Sequence, residues 1–241
     1  HGTACAGVAV GNADGTGIAG AAPRCRLMPI RWGRDLSDRE IENWFNYVRE
    51  QGAWVVSCSW GAMATYFPLS TRAYRAIKRC AEEGRNGLGT VICFAAGNND
   101  LNINDPASQT VNGFATHPNV IAVAASNSRD QKSNYSNFGK EISVCAPSSG
   151  AGGWGITTSD VMGQYTRGNQ TFESGYSPGP YTDEFGGTSS ACPLVAGICA
   201  LLFSIKPDLK ASDIKKIIET TARKIEDPKH YDESGHSELF G

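Results

Sequence analysis

Five short apolar runs constrain the architecture of this chain more than any other feature. RLMPI (26–30), WVVSCS (54–59), TVICFAA (90–96), VIAVAAS (120–126) and ISVCA (142–146) are near-continuous in apolar residues and do not alternate. A strand covered on one face alternates apolar with polar, whereas a strand covered on both faces does not. The runs therefore predict buried strands, and amphipathic stretches lie between them. In LSDREIENWFNYVREQG (36–52), Ser37 and Glu40 have the spacing of a capping box. Ile41, Trp44, Phe45 and Val48 share one face, and Gly52 ends the helix. A second helix is predicted over about 70–83, with Tyr74, Ile77 and Cys80 inward and Gly84 as its stop. Ser212 is predicted to cap a late helix that buries Ile214, Ile217 and Ile218. Strand, helix, strand, helix, strand implies a parallel sheet with helices on both faces. The expected fold is a three-layer α/β/α domain with a mainly parallel sheet, spanning residues 1–241. From 147 to 187 the pattern gives way to Gly, Ser, Thr, Tyr and Pro, read as long loops with a hairpin.

Composition narrows the function classes. With 241 residues, 40% hydrophobic and 19% charged, the chain has enough apolar material for a full core in one large domain. Net charge is −2 and there is no basic stripe or zinc-finger spacing, which argues against nucleic acid as a partner. The longest apolar run, Leu194–Phe203, is too short to span a bilayer and reads as a buried helix. No charged segment precedes an apolar stretch as in a signal peptide. Eight cysteines are scattered without a Cys-x-x-Cys, so no zinc site is expected. Most sit inside apolar runs, where they behave as small core residues; the even count permits disulfides without requiring them.

Three residues carry chemistry. In GGTSSACPLVAGICALLF (186–203), glycines deliver Ser189 to the start of an apolar helix. Unpaired N–H groups and the helix dipole favour negative charge at that end, as on a tetrahedral oxyanion. Pro193 is expected in the first helical turn, where its missing N–H costs nothing. VICFAAGNND ends a buried strand in Gly97–Asn98, and an Asn side chain there can donate to a developing oxyanion. His1 supplies an imidazole. Nucleophilic serine, proton-carrying histidine and oxyanion donor are the parts of acyl transfer.

HGTACAG (1–7), GIAGAAP (17–23), SWG (59–61), AAGN (95–98) and GTSSACPLVAG (187–197) stand in order along nearly the whole chain. This series resembles the subtilisin-like serine peptidases. Cys5 within HGTACAG, GRNGLGTVICFAAGN and ITTSD are similar to the kexin/furin-like branch and its bacterial relatives. The resemblance implies a subtilisin-type fold and an endopeptidase with His1 as general base and Ser189 as nucleophile. Asn98 and the Ser189 N–H would be the oxyanion donors. It also implies that Ser59, Trp60, Gly61 and Ala95, Ala96, Gly97 wall a groove in which a polypeptide substrate pairs as an added strand. No cofactor is implied for the chemistry, and structural calcium is open. A secreted or cell-envelope location fits the family, whereas the many core-like cysteines fit a cytoplasmic one.

The match departs from the family in two places. The family aspartate precedes the histidine, and here nothing does. Asp14, Asp183 and Glu184 stand in the wrong place in the order. Both ends read as cut, so the expectation is a partial domain whose Asp-bearing strand lies upstream of His1. Two rival expectations are a silent peptide-binding pseudoprotease and a peptide ligase or macrocyclase of the same fold. Secondly, SWG is followed by AMATY without a carboxylate, which argues against dibasic specificity; Asp100 and Asp105 are the nearest later acids. Elsewhere, GTGIAG (15–20) fits a dinucleotide fingerprint but follows a small-residue helix, so it reads as a turn into a strand. His117 is expected in a loop, and His230 and His236 in a solvated tail.

Overall fold

Four of the five apolar runs become strands of one parallel sheet. The computed structural model describes residues 1–31, 33 and 36–241. The chain opens with α1 (Gly2–Val10) and α2 (Asp38–Glu50). There follow β1 (Val55–Cys58), β2 (Tyr66–Phe67), α3 (Thr71–Gly87) and β3 (Val91–Ala95). β4 (Asn104–Asp105), β5 (Thr110–Asn112), β6 (Val120–Ser126) and β7 (Val144–Pro147) come next. β8 (Ile156–Ser159), β9 (Gln164–Arg167), β10 (Gln170–Glu173) and β11 (Tyr181–Phe185) precede α4 (Thr188–Ile205) and α5 (Ala211–Thr221). The main sheet has the order β1-β3-β6-β7, and every pairing in it is parallel.

The alternation hidden in VICFA appears once both layers are in place. Val91, Cys93 and Ala95 face α4 and α5, while Ile92 and Phe94 face α2 and α3. Both faces are dry, which is why the sequence shows no polar positions. Ser37 Oγ accepts from the Glu40 N–H at the start of α2 as the spacing predicted. α3 loses helical geometry at Gly84, also as predicted.

Three expectations are corrected. Residues 26–30 form no strand: among the described residues none lies beside them to take their backbone hydrogen bonds, and Leu27 and Met28 are exposed. Ile30 still packs against the α2/α3 core. Ser212 is not the cap of α5; Lys210 is, and the Asp213 carboxylate accepts from its N–H at 3.1 Å. Residues 147–187 are more ordered than their composition suggests. β9 and β10 form the expected hairpin, and β8 pairs antiparallel with β11 as a ribbon leading into α4.

Candidate active site

The serine end is built around one tight turn. Gly187, at φ +75°, caps α4, and a Cβ there would lie 3.2 Å from Asn98 Nδ2. Its N–H donates to Tyr135 Oη (3.1 Å), and its carbonyl accepts from Ser148 Oγ (2.8 Å) and Ser190 Oγ (3.1 Å). α4 then starts at Thr188, making Ser189 its second residue. The Thr188 N–H and hydroxyl both donate to Asn98 Oδ1, at 2.8 and 2.9 Å. A backbone N–H can only donate, so this pair fixes which end of the Asn98 amide is oxygen. Nδ2 and the Ser189 N–H make no hydrogen bond among the described residues, and both belong to one cleft with the Ser189 side chain.

Pro193 is the sixth residue of α4, not part of its first turn as expected. Its missing N–H would have served the Ser189 carbonyl four residues earlier. Two side chains from elsewhere donate instead: Ser59 Oγ at 2.9 Å and Cys5 Sγ at 3.5 Å. Burial pushes the Cys5 thiol up, which keeps it protonated for that role.

The histidine end is tied down less firmly. His1 is exposed and precedes α1, a helix of small residues that lies close against its neighbours. Thr158 Oγ1 of β8 donates to the Ala4 carbonyl at 2.8 Å. Gly197 of α4 leaves room for the Ala9 carbonyl, which a Cβ would meet at 3.0 Å. The His1 ring stands edge-on to Phe185 with centroids 5.8 Å apart, and Nδ1 lies 3.8 Å from Cys5 Sγ. Among the described residues no carboxylate hydrogen-bonds to His1. Asp14 spends its oxygens on Thr16 and Asn12, whose hydrogen bonds hold its pKa low, and Asp183 and Glu184 are exposed on β11.

The cleft beside Ser189 encloses about 290 Å³. Ser59, Trp60 and Gly61 form one wall, and Ala95, Gly97 and Asn98 the other. Trp60 is wedged against Phe94 and Phe114, each at 5.1 Å. Ala96 is not on the wall; it is buried, and its carbonyl accepts from the side chains of Asn112 and Asn137. The Gly97 N–H and carbonyl are also taken, by Thr188 Oγ1 (3.1 Å) and the Asn137 N–H (3.0 Å). Ser59 and Gly61 spend no backbone group on a partner among the described residues. Neither Asp100 nor Asp105 lines the cleft. Asp100 pairs with Lys132 at 2.6 Å, and Asp105 accepts from the Ala107 and Ser108 N–H groups.

The family model that matches this chain is described as the subtilase family, over residues 1–241. The chain belongs to the subtilase family. Among its relatives, a calcium-dependent protease of Trichormus variabilis is 38% identical over the whole chain, which spans 38% of that protein. Thermitase of Thermoactinomyces vulgaris is 32% identical, with 93% of this chain and 68% of thermitase aligned. A solved protease of Pseudoalteromonas arctica superposes with a TM-score of 0.70 at 27% identity, covering 93% of this chain and 64% of that one.

Calcium takes backbone and amide carbonyls as well as carboxylates, and no cluster of acidic side chains marks a site for it among the described residues of this subtilase. No group of three or more His, Cys, Asp or Glu gathers there. Nearest in chemistry is Glu141, whose Oε2 is buried without a partner while Oε1 accepts from Asn104 at 2.6 Å. One carboxylate and one amide fall well short of the 6–8 oxygens calcium takes. All eight cysteines are free. His117 lies in a loop as expected, but is buried: Nε2 faces the Tyr74 carbonyl (3.2 Å), and Nδ1 accepts from the Asn119 N–H (3.1 Å). His236 is likewise tied, with Nε2 3.0 Å from the Ile142 carbonyl. Thr188, Tyr135 and Cys5 are the site residues to which the sequence assigned no role. Only Cys5 left a signal, as a cysteine one helical turn beyond the histidine.

Proposed function

We propose that this subtilase is a serine endopeptidase working through an acyl-enzyme. The observation that carries the proposal is the locked Asn98 amide. Thr188 occupies its oxygen, and among the described residues the Asn98 NH₂ group and the Ser189 N–H stand unpaired in the cleft that holds the Ser189 side chain. Two free donors at a helix start beside a hydroxyl suit an oxyanion that exists only during reaction.

Ser189 Oγ adds to the scissile carbonyl as its proton passes to His1 Nε2. The carbonyl oxygen gains charge and is held by Asn98 Nδ2 and the Ser189 N–H. The C–N bond then breaks, and His1 returns the proton to the departing amine. Water repeats the sequence on the ester and releases the acid. His1 needs a carboxylate at Nδ1 to fix its tautomer and orientation. We place that carboxylate on a segment outside residues 1–241, delivered to the side where Cys5 Sγ now stands.

The substrate lies extended along Ser59–Gly61, where the Ser59 and Gly61 backbone groups take no partner among the described residues, with Ala95 and Gly97 opposite. No carboxylate lines the cleft among the described residues, so the residue before the scissile bond is not selected for positive charge. A secreted or cell-envelope setting is supported by a relative, 32% identical, that is an extracellular protease of Xanthomonas campestris.

A fluorophosphonate probe applied to the full-length protein tests the function. A covalent adduct on Ser189 is expected; an unlabelled Ser189 in folded protein overturns the proposal in favour of a silent peptide-binding module.

A further inference from the structure

We propose that Tyr176, backed by Phe185, seats the residue that follows the scissile bond and selects an aromatic or large apolar side chain there. This inference rests on the serine-peptidase reading above. In that mechanism the carbonyl oxygen points to Asn98, and the departing amine takes its proton from His1. Substrate beyond the scissile bond therefore runs past His1, away from the Ser59–Gly61 wall.

An aromatic track begins at that point. The His1 ring stands 5.8 Å from Phe185, and Phe185 lies 5.4 Å from Tyr176. Phe185 is 1% exposed, but Tyr176 is 40% exposed, so the track surfaces at Tyr176. Burial, with Cys5 and Asp160 nearby, raises the Tyr176 phenol, which stays neutral at working pH.

The backbone that carries this ring is held by a carboxylate. Asp160 Oδ2 accepts from the N–H groups of Tyr176 (2.7 Å) and Ser177 (2.8 Å), and Oδ1 from that of Val161 (2.8 Å). Ser177 Oγ then ties the loop to β11 through the Tyr181 carbonyl at 2.6 Å. Asp160 itself is 9% exposed. A nearly buried carboxylate thus fixes the backbone that carries Tyr176, while the ring rests on Phe185 and remains open to solvent. A ring on a fixed backbone, backed by Phe185, gains contact area with an apolar partner at reduced entropic cost.

The test uses the full-length protein and peptides that share their acyl half and differ only in the residue after the cleaved bond. Aromatic or large apolar residues should raise kcat/KM over glycine by about three- to tenfold. Tyr176→Ala should bring that ratio close to one, and Tyr176→Phe should restore it. A flat profile in the unmodified protein overturns the seat, as does a Tyr176→Ala variant that slows all peptides equally. If Tyr176→Ala does not fold, the unmodified profile decides. A missing fluorophosphonate adduct at Ser189 overturns the peptidase reading and the seat with it, whereas an adduct with a flat profile overturns the seat alone.

Discussion

The two halves of the site are held to different standards. On the serine side three groups are fixed by side chains from elsewhere: Gly187 by Tyr135 and Ser148, Asn98 by Thr188, and the Ser189 carbonyl by Ser59 and Cys5. On the histidine side the ring has an edge contact to Phe185 and a thiol at 3.8 Å. Under the proposed mechanism the difference teaches where catalytic precision would be stored. In the proposed mechanism the oxyanion donors come from α4 and from the turn after β3, and Thr188 ties the two together. The imidazole depends on a hydrogen-bonding partner that the described residues do not supply.

The sharpest way to break that comparison is Asn98→Ala in the full-length protein. If the serine side is prearranged, removing one oxyanion donor should lower kcat by about 10²–10³, the scale known for subtilisin's own oxyanion asparagine, with little change in KM. Steady-state kinetics on a peptide substrate would show it. An unchanged kcat would remove Asn98 from the mechanism and leave its bond to Thr188 as a purely structural device.

Ser59→Ala and Cys5→Ala refine the same comparison at smaller scale. Both remove a donor from the Ser189 carbonyl that Pro193 leaves without its helical partner. The Ser59 bond is the shorter, at 2.9 Å against 3.5 Å, and a hydroxyl is a stronger donor than a thiol. Ser59→Ala should therefore cost about 1 kcal/mol of stability, and Cys5→Ala less. Denaturant melts of the two variants would rank them. Equal losses would mean that the carbonyl does not depend on the hydroxyl.

The strand layers were legible because burial on two faces leaves a compositional mark: VICFA and VIAVAAS have almost no polar residue to place. RLMPI carries the same mark and forms no strand, because composition reports burial preference and not the presence of a neighbour to pair with. Ser189, Asn98 and Gly61 were legible from motif order, and they do meet in one cleft. The motif puts Ala96 on the wall with Ala95 and Gly97, but it packs into the core beside Ile103 and Ala122, where two asparagines take its carbonyl. The Thr188–Asn98 lock spans 90 residues of sequence, and no local pattern encodes such a contact. Pro193 was misplaced by a helix boundary, and with it went the reason Ser59 and Cys5 approach Ser189.

An effect confined to acid pH sets the exposed His1 of the site against the buried His117 of the core. Burial, with Lys215 and Lys78 nearby, pushes His117 down from 6.5 to about 4. Its neutral form is satisfied at both nitrogens, by the Tyr74 carbonyl and the Asn119 N–H, and a second proton would meet that N–H head-on. The sign follows from the two states. Between pH 6.5 and 4 the unfolded chain holds this proton and the folded chain does not, so folding stability falls as pH drops through that window and stays unaffected by this group above it. His117→Gln offers an amide in place of the ring and does not titrate. Melts from about pH 7.5 to 4 should show a shallower acid loss in the variant than in the parent. The same loss in both would assign the acid sensitivity to other groups.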